Sequence, residues 1–149
     1  MQDNNRIILP ALGALVASII GGAVWALILV ITEYELGLIA WGIGGLAGYV
    51  VYLLTQHVTK ANQTTAVISA LLGIVLGKFF IVAYMMKDVF GSMLNKVVFQ
   101  IFTENFISFF GKMDILFVLF AVLTAWHLPL RLSLQRQQRN GELDFPAES

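Results

Sequence analysis

Lys78 is the side chain here with the most chemistry open to it, because it is the one charge in an otherwise apolar run from about Thr64 to Met86. An amine kept out of water binds its proton less readily, which makes it a candidate for proton or ion handling. The same amine can also rise along its aliphatic stem to reach headgroups. A third option is neutralisation by a carboxylate, and Glu33, Glu35, Asp88 and Asp114 are all expected near the end of the apolar runs toward which Lys78 points. Ionisable residues inside membrane segments face a bundle interior, a cavity or a partner. Lys78 is therefore the candidate functional or ion-paired residue, and those four acids are its candidate partners.

The other reactive groups are sparse. His57 and His127 both stand at the ends of apolar runs without clustered carboxylates, and the chain has no cysteine. No metal site, thiol chemistry or cofactor is expected from that set. Ser69, Tyr49, Tyr52 and Tyr84 could line a polar track near Lys78, but interhelical hydrogen bonding and interface anchoring suit them better. No Ser, His and acid set stands ready for nucleophilic chemistry, so no enzymatic activity is expected. The run from Gly42 to Gly48 lacks the Gly-Lys-Ser/Thr of a phosphate-cradling loop.

Lipid must surround the elements that position these residues. The 149 residues are 58% hydrophobic and 12% charged, with a mean hydropathy of +0.82, whereas soluble domains run at about 25% charged. Formal net charge is zero, which excludes a strongly basic nucleic-acid binder. At 1.5 Å per residue a crossing needs about 20 apolar residues. The chain offers spans of about 7–32, 36–55, 64–86 and 113–130. The first is too long for the apolar core of a cleaved signal peptide and reads as an uncleaved anchor. The leucines, isoleucines, valines and phenylalanines of the third outweigh the roughly 2.5–3.5 kcal/mol charged by a central lysine. The fold class expected is all-α: an integral membrane four-helix transmembrane bundle over residues 1–132.

Between the third and fourth crossings, residues 88–111 carry apolar side chains at helical spacing, among them Phe90, Leu94, Val98, Ile101, Phe102 and Phe109. That pattern predicts an amphipathic helical connector lying along the interface. Residues 133–149 are polar and are expected to form a disordered cytoplasmic tail. With both ends inside, Arg6, Lys60, Arg131, Arg136 and Arg139 face the cytoplasm, while the first outer connector carries only Glu33 and Glu35. Basic residues stay on the cytoplasmic side, so both termini are expected there, although Lys87, Lys96 and Lys112 fall outside.

Small residues recur four apart. Ala14, Ser18, Gly22 and Ala26 form one row on the first crossing, with Gly13, Ala17 and Gly21 beside it; Ala40, Gly44 and Gly48 repeat the pattern on the second; Gly73 and Gly77 continue it on the third. Lipid supplies no hydrophobic drive between helices, so close backbone approach must hold them, and small residues permit it. Ala14, Ser18, Gly22, Gly44, Gly48, Gly73 and Gly77 are thus expected packing positions. The first two crossings, joined by a very short turn, must be antiparallel neighbours.

The text ITEYELGLIAWGIGGLAG from Ile31 to Gly48 resembles a group of uncharacterised small bacterial four-helix, multi-pass membrane proteins, in which a short acidic turn leads into an aromatic, glycine-rich second helix. Gly77, Lys78 and Phe79 look like a weaker echo of the same group. The resemblance covers about the first half of the chain and implies placement in the bacterial cytoplasmic membrane; it supplies no catalytic residue. The expected function is a non-enzymatic accessory or interaction component, whose partners are membrane lipids and either a second copy or another membrane protein. The alternative is a small oligomeric transporter or channel in which Lys78 handles an ion or proton.

Overall fold

The computed structural model describes residues 2–33, 38–55, 58–91 and 95–143, and among them the chain is helical with no strand. Five α-helices follow in order: α1 (Gln2–Thr32), α2 (Leu38–Leu54), α3 (Lys60–Phe90), α4 (Lys96–Glu104) and α5 (Lys112–Leu143), with a 3₁₀ turn at Phe106–Phe109 between the last two. Three of them, α1, α3 and α5, are long and apolar enough to cross a membrane, whereas α2 is a shorter apolar helix of 17 residues.

Local chemistry explains the ends. Thr59 caps α3, its hydroxyl accepting from the Asn62 N–H at 3.3 Å, so this helix starts four residues before the predicted Thr64. It closes on Gly91 in the left-handed region at φ 69°, with the Gly91 N–H donating to the Lys87 carbonyl. Glu33 ends α1, also with a positive φ of 59°. Asn95 caps α4 by accepting from Val97 N–H at 3.0 Å.

Two sequence expectations change. The connector of residues 88–111 is not one helix: α3 takes its first residues, Gly91 stops that helix, and only Lys96–Glu104 re-forms one before the 3₁₀ turn. The tail of residues 133–149 is not disordered from its start, since α5 continues to Leu143. Arg136 fixes part of this extension, its Nε donating to the Tyr52 hydroxyl at 3.0 Å and its guanidinium lying 4.3 Å from the centre of the Tyr52 ring. Residues 144–149 lie outside the described residues.

Contacts at successive heights set the helix directions. Gly21 faces Ile43, and Gly13 faces Val50 and Leu54, so α1 and α2 are the antiparallel neighbours expected. Gln63 meets Trp126 and Lys78 meets Asp114, which makes α3 and α5 antiparallel. By contrast, Ser18 and Gly22 rise beside Gly73 and Gly77, and Gly44 and Gly48 beside Ala121 and Ala125; α1 runs parallel to α3, and α2 parallel to α5. Both α2 and α3 touch the three other long helices and so hold the bundle's short diagonal. The core is layered along it. Trp25, Ile43, Ile74, Ile81 and Ala121 fill one half, and Ala14, Ala47, Val51, Ala66, Ala70 and Ala125 the other.

The glycine rows sort by neighbour. A Cβ on Gly22 would stand 2.5 Å from the Gly73 carbonyl oxygen, and one on Gly73 would stand 2.5 Å from that of Ser18. The Ala14–Ser18–Gly22 row therefore serves α3, while the adjacent Gly13 and Gly21 serve α2. The Gly44 and Gly48 row does not turn to α1 at all: a Cβ on Gly44 would collide with the Ala121 backbone, and one on Gly48 would come within 3.3 Å of Ala125 Cα and Pro129 Cδ. Pro129, buried within α5, removes a backbone donor from that helix. Beside it the Gln63 side-chain amide donates to the Trp126 carbonyl at 2.8 Å, the kind of contact that satisfies carbonyls near a proline inside a membrane helix.

Candidate functional site

Lys78 projects from the middle of α3 into the half of the bundle covered by α4 and the 3₁₀ turn. Its side chain is only 3% exposed, and its Nζ donates to Asp114 Oδ2 at 2.8 Å. Aromatic faces enclose the ammonium, with the Trp25 ring 5.5 Å and the Phe110 ring 5.6 Å from it. The amine does climb toward the capped end of the bundle, yet it stops on a carboxylate and not in solvent.

Asp114 reaches this position because it serves α5 at the same time. The backbone N–H of Gly111 donates to Asp114 Oδ2 at 3.0 Å, and the Ile115 N–H donates to the Gly111 carbonyl. Gly111 is thus the residue before the first turn, and Asp114 reaches back to it as the third-position acid of a capping box does. The positive end of the α5 backbone dipole favours the charged carboxylate there. One oxygen ties the start of α5 to the middle of α3, and the 2.8 Å contact has the length of a charge-assisted bond.

Two of the other acids named with Lys78 stand at the surface. Asp88 is exposed on the last turns of α3, and Glu33 is exposed where α1 ends; Glu35 lies outside the described residues. The polar track is not assembled either. Tyr52 is committed to Arg136 at the opposite end, Tyr49 packs its ring 6.2 Å from that of Tyr52, and Tyr84 lies under the Lys87 ammonium at 3.9 Å. Ser69 is buried on α3 nine residues, or about two and a half turns, before Lys78. His127 is exposed and His57 is outside the described residues; among those described, no group of His and acidic residues is arranged to hold a metal ion.

Over the site lies a roof of phenylalanines that spacing alone did not tie to Lys78. Val98 and Phe102 are the buried pair of α4, one turn apart. Phe102 packs edge-on to Phe79 at 5.5 Å and stacks on Phe109 at 5.8 Å, and Phe106 continues to Phe110 at 5.1 Å. Phe110 is the ring that faces Lys78. Beside this roof a cavity of about 250 Å³ is lined by Lys78, Ile81, Val82, Met85, Met86 and Phe109. A second of the same size, lined without a polar contribution by Leu71, Ile74, Phe106, Phe110 and Val118 among others, lies on the far side of the 3₁₀ turn. Trp25 is buried completely, and its indole N–H has no hydrogen-bond partner.

No protein-family model, curated protein or solved structure was found to match the chain.

Proposed function

We propose that this chain is a bacterial cytoplasmic-membrane protein of four crossings, α1, α2, α3 and α5, with both ends in the cytoplasm, and that it acts without catalysis as an accessory or interaction component. At about 26 Å, the 17 residues of α2 approach the thickness of the hydrocarbon, and it packs against the three other long helices. The resemblance of the acidic turn and glycine-rich second helix to small bacterial multi-pass proteins supports the placement.

The observation that carries the functional reading is the outward face of the α4 cap. Phe99 is 60% exposed and Ile107 83% exposed, at an end where the other faces of the same segment are tied down by the phenylalanine roof. A rigid cap with projecting apolar side chains gives a membrane partner something to grip. Lys78 supports the same reading, since its charge is matched by Asp114 within the fold, a structural use of a buried charge.

A photo-cross-linking amino acid at position 107, in cells carrying the native membrane, should give one discrete adduct with a membrane protein or a second copy. The double variant Phe99→Ser/Ile107→Ser should retain the fold and lose that partner in mild detergent. A protein that stays monomeric and cross-links only to lipid would overturn the reading. Single cysteines at positions 33 and 108 should label from outside the cell and one at position 59 from inside; the reverse pattern would overturn the orientation, and a pattern in which position 59 labels from the same face as the other two would overturn the four crossings.

A further inference from the structure

The cap over Lys78 is stiff within itself and lightly fastened to the bundle. Phe102 stacks on Phe109 at 5.8 Å and meets Phe106 edge-on at 5.6 Å, so a chain of rings joins α4 to the 3₁₀ turn as one body. Among the described residues, α4 packs on α3 and on that turn, and on no other helix to a comparable extent. The aromatic hold on α3 passes through Phe79, the neighbour of Lys78, which faces Phe99 at 6.2 Å and Phe102 at 5.5 Å. Space lies on both sides of the turn. A cavity of about 250 Å³ reaches Phe109 on one side, and another of the same size reaches Phe106 on the other, which withholds the close packing that fixes interior segments.

Glycine stands at each end of this body. Gly91 closes α3 in the left-handed region with nothing within 4 Å of a Cβ, and at Gly111 a Cβ would meet Asp114 Oδ2 at 3.6 Å and nothing nearer. We propose that α4 and the 3₁₀ turn form a hinged lid, latched on Phe79, which swings about its glycine ends and admits water to the Lys78–Asp114 pair. The second hinge is wired to that pair, because Asp114 Oδ2 accepts from both the Gly111 N–H and the Lys78 ammonium. Opening loses the contacts of Phe79 but rehydrates two charges whose side chains are 3% and 13% exposed when the lid is shut, which offsets part of the cost. A segment with few apolar contacts to the rest of a fold opens before its core does. The lid goes beyond the docking role and stands whether or not a partner takes its outer face.

The test uses the full chain in phosphatidylcholine nanodiscs. The protein has no cysteine, so Val82→Cys, at a position 5% exposed in the wall of the first cavity, reports water beneath the lid through its reaction with an anionic, membrane-impermeant methanethiosulfonate. Phe79→Ala should speed that reaction about ten-fold, the worth of an aromatic pair. Phe102→Ala should do at least as much, and the double variant should react no faster than Phe102→Ala alone, since both remove one latch. Gly111→Ala, which fits the closed form and stiffens the hinge, should slow the reaction about two-fold. Val51→Cys, buried in the other half of the core, should stay unreactive in every background. Amide hydrogen exchange should show α4 and the 3₁₀ turn opening at one common rate. A Val82→Cys rate indifferent to Phe79→Ala would overturn the lid, as would separate exchange rates for α4 and the turn. Equal acceleration at Val51→Cys would also overturn it, by showing the whole bundle loosened.

Discussion

The two parallel seams of the bundle use the same residue spacing in different ways. Between α1 and α3, small residues meet from both sides: Gly22 lies against Gly73 and Gly77, and Gly73 against Ser18, with backbone touching backbone over two turns. Between α2 and α5 glycine stands on one side only, opposite Ala121 and Ala125, and contact is closest at Gly44 and easier at Gly48. That seam adds a polar clip, the Trp41 indole N–H donating to Thr124 Oγ1 at 2.7 Å. Among the described residues, the first seam joins small-residue packing to the contact of the Lys78 ammonium with the Trp25 ring at 5.5 Å, and the second joins its close approach at Gly44 to two hydrogen bonds, this one and the bond from Arg136 to Tyr52. Ser18 illustrates the first kind, because its buried hydroxyl has no hydrogen-bond partner; the residue is there for its size.

This difference can be broken in graded steps. Gly73→Val should have the largest effect, about 3 kcal/mol or more, since neither facing backbone can retreat without moving a helix; loss of the monodisperse species at lower temperature in detergent measures it. Lys78→Met should follow at about 2 kcal/mol by leaving the half-buried Asp114 carboxylate without its counter-ion, and Lys78→Met/Asp114→Asn should recover much of the loss in the same assay. Trp41→Phe should cost about 0.6 kcal/mol, the ordinary value of an interhelical hydrogen bond in lipid, and should loosen α2 from α5 without disturbing α1 and α3, which a disulfide-trapping pair in each seam would report. Gly42→Ala should be the mildest and stabilise by about 0.5 kcal/mol, because nothing lies within 4 Å of a Cβ there and glycine is costly in a helix interior. If Gly73→Val and Gly42→Ala melted alike, the contrast between seam and lipid-facing glycines would be lost.

Much of this fold is legible in the residues themselves. Apolar runs mark the long helices, and the four-residue spacing of Ala14, Ser18 and Gly22 marks a packing row. The partner of each row is not legible, because these helices are apolar all round and show no polar face that would orient them. Gly44 and Gly48 therefore gave no sign that they would face Ala121 and Ala125, small residues in a stretch otherwise dominated by leucine, valine and phenylalanine. At the site, an acidic partner for Lys78 could be anticipated but its identity could not. Several acids are expected near it, and Asp114 reaches Lys78 through its second task at Gly111, which only the start of α5 defines. The α5 extension is legible in propensity and not in polarity: Leu132 to Arg139 contains no glycine or proline and is rich in good helix formers.

The pairing of Lys78 with a residue 36 positions later also has a meaning in time. A ribosome adding about 5–20 residues per second needs about two to seven seconds to make that stretch. In the four-crossing arrangement proposed above, α3 enters the membrane during this interval without the Asp114 carboxylate beside its ammonium, helped by the leucines, isoleucines and phenylalanines around it. The arrival of α5 then acts as a late lock that completes the bundle, and a chain stopped before Asp114 would hold α1, α2 and α3 without the carboxylate that ties α3 to the last helix.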